Sequence, residues 1–332
     1  MHRKALTLLA VLLGTAASAS ESYRLFVSNE YGANLSVIAD GAAPQAEVSI
    51  SGRPGDVRPR GMALSPDGRI VYVAVSDFLP QSEKPEDAIV AIDVATGEIL
   101  RRYRAGGNPE RIAISPDGTQ IWAALEAVAQ AVGIDAETGA ELGRFPTGVE
   151  PEGVDVSPDG RWVYVTGETS HTVTVIDAQA LQLVTHMLVG NRPRDVVFSP
   201  DSTRAYASAE IGGTISVIDV TRHRVIDTIS LGLDSRPVEV DLSPDGRLLY
   251  VAGGGTSAVY VVDTEQGAVA HVIKEKMGRR PWGVTVSPDG GTVYTANGLS
   301  DSVSVIDTSC MCVTGEIAAG RGAHSIEVGH VD

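Results

Sequence analysis

The tetrapeptide Ser-Pro-Asp-Gly constrains this chain more than any other feature. It stands at Ser65, Ser115, Ser157, Ser243 and Ser287, with Ser199-Pro200-Asp201-Ser202 as a variant, at intervals of 50, 42, 42, 44 and 44 residues. Proline presets φ, aspartate caps locally and glycine accepts positive φ, so each copy is a turn. An aromatic-led strand follows each turn, at Tyr72, Trp122, Tyr164, Tyr206, Tyr250 and Tyr294, and Phe26 leads one before the first turn. The next strand ends in Asp40, Asp93, Asp135, Asp177, Asp219, Asp263 or Asp307, a column whose recurrence in every unit marks a turn device. A further strand such as Glu98 to Arg102 comes next, and then one that opens at Pro59, Pro109, Pro151, Pro193, Pro237 or Pro281. The strands are short, β-branched and bounded by Gly, Pro, Asp and Ser, with no helical period of comparable length.

Four strands in a unit of roughly 42 residues is the size of a propeller blade. Length alone, 332 residues, would suggest about two domains. The repeats replace that with one all-β, seven-bladed β-propeller of four-stranded blades over residues 20–332. The N-terminal unit supplies only three strands, and Ala323 to Val328 supplies the missing proline-type strand. Joining the C-terminal strand to the N-terminal blade closes the ring and pairs edges that would otherwise template aggregation.

Residues 1–19 read as a signal peptide. His2-Arg3-Lys4 is a basic start, and Leu6 to Gly14 is an apolar run far short of the roughly 20 residues that span a bilayer. Ala17-Ser18-Ala19 then offers a cleavage site. No cysteine follows for lipid attachment and no second long apolar run exists, so the mature chain is expected to have no membrane span and to be periplasmic or secreted. Cleavage removes Arg3 and Lys4 and takes the formal charge from −16 to −18, two positive charges fewer. That acidity argues against general duplex binding. Two cysteines cannot form a disulfide framework or a four-thiolate zinc site; Cys310 and Cys312 could close a local disulfide or hold a soft metal.

The Tyr-Val-(Thr/Ala)-x strands, Val-Ile-Asp strands, Gly-x-x-Pro loops and Ser-Pro-Asp-Gly turns resemble the YVTN family of β-propeller repeats over essentially the whole mature chain. More narrowly, the seven-repeat exported chain resembles the propeller proteins associated with PQQ-dependent catabolism. That resemblance implies a setting beside quinoprotein alcohol oxidation, with a quinoprotein dehydrogenase or an ABC transport component as partner. Similar seven-bladed repeats occur in lactonases and in the propeller subunits of amine dehydrogenases, which implies a propeller enzyme or enzyme subunit as the alternative.

In a propeller, the loops entering each inner strand and those between the second and third strands share one face, where function sits on a rigid scaffold. Before the prolines stand Arg58, Asn108, Glu150, Arg192, Arg236 and Arg280; after them stand Arg60, Glu110, Glu152, Arg194, Val238 and Trp282, with His324 in the matching place of the last strand. Four residues after each aromatic come Glu30, Ser76, Glu126, Glu168, Glu210, Gly254 and Gly298, and His171 lies in the same loop as Glu168. The expectation is a ring of arginine and glutamate at one channel mouth. With 22 Arg and only 4 Lys in the chain, planar guanidinium forks suited to carboxylates dominate. Two readings follow. The arginines could hold a small anionic ligand, such as the three carboxylates of PQQ, or they could pair with the glutamates and stitch neighbouring blades. Acids are sparser around Arg192, Arg236 and Arg280, so the mouth should have a basic and an acidic side. Trp282 offers either a stacking surface or a plug, and His324 either a proton-exchanging group or a structural one.

The insertion from Phe78 to Asp87 accounts for the 50-residue interval and is either a lid on the same face or simple loop drift. Asp155, Asp241 and Glu327 share an inner-strand column and are expected to line a wet channel; a divalent metal there would need them to converge. No His-Glu-x-x-His, Gly-x-Ser-x-Gly, P-loop or Rossmann fingerprint is present. No catalytic residue is identified. The expected function is an exported, non-catalytic binding propeller. An enzyme would need Glu168, Glu210 and His171 to converge at a metal, and single-stranded nucleic acid binding would need Trp282 beside Arg280 and Arg194 as its platform.

Overall fold

The computed structural model describes residues 22–39, 44, 46–51, 56–77 and 87–331. The signal peptide read at 1–19, Asp40 and residues 78–86 of the insertion lie outside the described residues. The rest is a ring of seven four-stranded antiparallel sheets. Blade 1 joins the C-terminal strand Ala323–Val331 to Ser22–Asn29, Asn34–Ala39 and Ala46–Ser49. Blades 2 to 7 follow in chain order from the inner strands Arg58–Leu64, Pro109–Ile114, Pro151–Val156, Pro193–Phe198, Pro237–Leu242 and Pro281–Val286.

The turn chemistry is as the sequence implies. Ser65 Oγ donates to Asp67 at 2.5 Å and accepts from the Ile70 N–H at 2.9 Å, while Asp67 accepts from the Arg69 N–H at 3.1 Å. The variant Ser202 takes φ 58° where its equivalents are glycine. Its hydroxyl offsets that strain by accepting the Asp159 N–H of the neighbouring blade at 3.0 Å. The aspartates that end the third strands cap the following turn, as Asp135 does for Thr138 at 2.6 Å. Cys310 and Cys312 are joined in a disulfide across one such turn.

The apolar core forms seven clusters, each between adjacent blades rather than on the ring axis. Trp122 and Phe145 of blade 3, for example, pack on Val154, Val163 and Val165 of blade 4. No blade can bury its own faces alone, so the strands depend on ring closure. Closure comes from antiparallel pairing of Leu25 with Val328 and Val27 with Ile326.

Candidate functional site at the channel mouth

In each inner strand the alternation of side chains breaks near the start. The register slips by one residue just after the proline, for example between Pro151 and Val154 and between Pro193 and Val196. This is a β-bulge. It turns two consecutive residues toward the axis. Second-strand hydroxyls hold it: Thr166 accepts the Gly153 N–H at 2.7 Å, Ser208 that of Asp195 at 3.1 Å and Ser28 that of Ser325 at 2.9 Å. Glycines at the second position let the neighbouring strand approach. A Cβ on Gly153 would lie 2.7 Å from both Arg194 O and Asp195 Cα. Gly153→Ala should therefore cost about 1–3 kcal/mol in urea unfolding; an unchanged midpoint would show that the strands can separate freely.

The first inward residue of each strand forms the mouth, and most of its charge is neutralised. Arg58 meets Glu30 and Glu110; Arg60 meets Glu30 at 2.8 Å, Glu152 at 3.4 Å and Glu110. Arg194 is ringed by Glu152 at 3.1 Å, Glu210 at 2.9 Å and Glu168. Burial pushes Glu110 well above the usual carboxylate range, and the charges of Glu152 and Glu126 add to it against the pull of Arg60. Arg192, which the sequence leaves short of acids, in fact meets Glu168 at 2.8 Å and Glu210 at 3.4 Å. The loop carrying Glu168 reaches over the arginine that enters the next blade. His171 does not join these acids; its Nδ1 faces the Arg192 N–H at 3.0 Å.

The other side differs. Arg236 and Arg280 make no ion pair among the described residues, and their blades carry Gly254 and Gly298 where blades 1, 3, 4 and 5 carry glutamate. Of these, Gly298 is sterically fixed, because a Cβ there would stand 2.7 Å from the Trp282 ring, while one on Gly254 would make a tight contact of 3.3 Å with Pro281 O. Trp282 is half-buried and already attended. The guanidinium carbons of Arg280 and Arg194 lie 4.6 Å and 5.2 Å from its ring centre, and the His324 ring stacks on it at 5.5 Å. A ligand must therefore meet this assembly edge-on or share its arginines, rather than find a bare aromatic face. The Nδ1 of His324 is buried without a partner. Burial, followed by the charges of Arg60 and Arg194, lowers its pKa well below the ordinary imidazole value, so the ring is neutral.

The second inward residues hold a group that the strand pattern does not reveal. Arg111 reaches across the axis to Glu239 and to Asp195, 3.3 Å away. Below this bridge lies a cavity of about 330 Å³ that Asp155, Asp241, Thr285 and Glu327 also line. Asp155 accepts the Phe198 N–H of the next blade at 3.0 Å, and Asp241 that of Val286 at 2.8 Å. These acids staple adjacent inner strands. No group of three or more His, Cys, Asp or Glu among the described residues is placed to hold a metal ion.

Burial pushes Asp155 up to about 7, Asp241 to about 6 and Glu239 to about 7, and raises Asp195 and Glu327 as well. A carboxyl with a raised folded pKa holds its proton better in the native state. Its contribution is complete below the unfolded value of about 4 and is lost as the pH climbs toward 7. The turn aspartates run the other way: a hydrogen bond from Thr221 pulls Asp219 down to about 2, and one from Ser65 lowers Asp67. Their contribution is lost as the pH falls below about 4. The melting temperature should thus rise from pH 8 to about 5 and fall again in stronger acid. A flat profile between pH 5 and 8 would refute this account of the channel.

A family model described as a seven-bladed β-propeller lactonase matches residues 176–320, less than half of the chain but including Arg192, Arg194, Arg236, Arg280 and Trp282. No curated protein matches the sequence. Among solved structures, a Bacteroides fragilis protein provisionally assigned as a 6-phosphogluconolactonase is 17% identical and aligns over 95% of this chain and 99% of its own, with a TM-score of 0.76. A functionally unknown protein from Desulfotomaculum acetoxidans is 15% identical over 93% of this chain and 99% of its own, with a TM-score of 0.78. Hydrazine synthase of Kuenenia stuttgartiensis is 19% identical over 80% of this chain and 88% of its own, with a TM-score of 0.71. At such identities the likeness is one of fold, and the chain is a β-propeller.

Proposed function

We propose that the protein is an exported binding propeller that takes a small, planar, anionic ligand at the channel mouth, on the side built from Arg236, Arg280, Trp282 and His324. The observation that carries this reading is that charge compensation stops partway round the ring. Arg58, Arg60, Arg192 and Arg194 are neutralised by glutamates, whereas Arg236 makes no ion pair among the described residues and Arg280 lies over the Trp282 indole with no carboxylate of its own. Free guanidinium forks beside an aromatic group suit a flat carboxylate. Export is supported by the leader-like N-terminus and by the Cys310–Cys312 disulfide, which belongs in an oxidising compartment. The resemblance to PQQ-associated propellers makes PQQ the first ligand to try and a quinoprotein dehydrogenase or ABC transport component the first partner.

Calorimetry and thermal shift against PQQ, citrate and gluconolactone test the proposal. An anionic ligand should stabilise the wild type, and Arg280→Ala should weaken it about tenfold or more, the loss expected for a charge-assisted hydrogen bond. Failure of every ligand to shift the wild type would reject the small-molecule site.

A lactonase reading draws on the match over residues 176–320, and there His324 would be the group to activate water. Its depressed pKa makes it a weak base, poorly matched to neutral pH, so binding is favoured over hydrolysis. Lactone turnover in a pH-stat that disappears in His324→Ala would reverse that preference.

A further inference from the structure

The connections that enter blades 3, 4, 5 and 1 span four residues each, at 105–108, 147–150, 189–192 and 319–322. Those entering blades 6, 7 and 2 are longer, six residues at 231–236, seven at 274–280 and eight at 50–57. The pair entering blades 6 and 7 departs from the four-residue connections in charge as well as length. The 274–280 connection holds Lys274, Lys276, Arg279 and Arg280, including two of the chain's four lysines. Arg236 ends the connection at 231–236, and Arg321 lies on that at 319–322. Lys274, Lys276, Arg279, Arg236 and Arg321 are exposed, Arg280 partly so, and none of the six makes an ion pair among the described residues. Acids are fewer here, namely Asp234, Glu275 and Asp301, in a chain whose formal charge is −16.

The connections entering blades 6 and 7 both border the 254–257 loop, the Arg280 N–H donating to Ser257 Oγ at 3.1 Å and the Gly255 N–H to Ser235 O at 3.1 Å. Exposed leucines stand with the cations: Leu233, 69% exposed, on the first connection, and Leu299, 59% exposed, whose N–H bonds Arg279 O at 3.2 Å. Isolated apolar side chains need no explanation. Two prominent leucines within a basic sector of an acidic protein do, because such a surface is complementary to a segment that is acidic and carries apolar anchors.

We propose that this sector is a docking surface for an acidic, leucine-bearing segment of another protein. The segment lies over the loops entering blades 6 and 7, its carboxylates on Lys274, Lys276, Arg279 and Arg321 and its apolar side chains against Leu233 and Leu299. The surface extends outward from the mouth site and does not depend on a small ligand binding there. Rim cations of this kind set association rate and salt dependence, and the leucines set residence time.

The test uses the mature chain and a fluorescein-labelled peptide of glutamates with a leucine at every fourth position. Anisotropy should show saturable binding that weakens as salt is raised. The double variant Lys276→Glu/Arg279→Glu should bind about tenfold or more weakly, while Arg247→Glu on the opposite face should bind as wild type. Leu233→Ser should shorten the residence time with little change in association rate. Melting temperatures identify any variant that misfolds, in which case Lys276→Ala and Arg279→Ala, each alone, should show smaller losses in the same direction. Absence of saturable binding, equal binding by the double variant, or binding of phosphatidylglycerol vesicles or an oligothymidylate in place of the peptide would overturn the proposal, as would concentration-dependent self-association through this face. Ligand shifts at the mouth, measured in the same double variant, separate failure of this surface from failure of the small-molecule site.

Discussion

Removal of residues 323–332 is expected to abolish soluble, cooperatively folded protein. The strand Ala323–Val331 is the inner strand of blade 1, and it pairs along Ser22–Asn29. Ala323, Ile326 and Val328 pack with Leu25, Val27 and Ile38 on one side and Ala296, Val303 and Ile317 on the other. Fully burying side chains the size of Ile326 and Val328 contributes about 1.5–3 kcal/mol each. The loss of contacts is only part of the effect. Deletion exposes the ladder edge of Ser22–Asn29 and opens the cluster between blades 7 and 1, leaving a sheet edge beside an apolar face, which is an aggregation template. Size-exclusion chromatography of the truncated chain should show aggregate or no soluble protein. A monomeric product with an unchanged melting midpoint would mean that the ring does not need its closing strand.

Arg194→Met should lower the unfolding free energy by about 3–5 kcal/mol, the range for a buried ion pair broken from one side. The side chain of Arg194 is 9% exposed and serves Glu152, Glu168 and Glu210, which are exposed by 12%, 6% and 10%. Methionine keeps most of the length and apolar volume, so the change isolates the charge. Glu168 and Glu210 retain Arg192, whose side chain is 40% exposed and therefore screened by solvent. Among the described residues, Glu152 retains its ion pair with Arg60. Adding Glu168→Gln should restore part of the loss, because one stranded charge disappears with it. Urea unfolding of the three variants reads both statements. Arg280→Ala, in contrast, should change stability by less than about 0.5 kcal/mol, because it strands no carboxylate. That contrast separates the structural seam from the ligand side of one mouth. Equal losses for Arg194→Met and Arg280→Ala would erase the distinction.

The ring was readable because its determinants are local. Among the described residues, the Ser-Pro-Asp-Gly turns and the terminal aspartates satisfy backbone groups two to five residues away, so the pattern survives in the linear chain. The division of the mouth was partly readable: the glutamate column lapses at Gly254 and Gly298, and there Arg236 and Arg280 make no ion pair among the described residues. Arg192 was misjudged because its acids come from the loops of two flanking blades, a relation that only the ring curvature sets. Arg111, Asp195 and Glu239 were missed for a different reason. Strict alternation turns the residue after an inward one away from the axis, and the bulge overrides it. The available signal was glycine at Gly61, Gly153 and Gly283 in that same column, which marks close strand approach where alternation alone expects an ordinary side chain.

The Arg111 bridge to Glu239 and Asp195 gives the molecule a floor. A solute that enters at the arginine-lined end meets a salt bridge anchored in three blades across its path. The bridge divides the axis into a cup with uneven charge on one side and an acid-walled well on the other. Occupancy of the cup should be insensitive to anything that plugs the well.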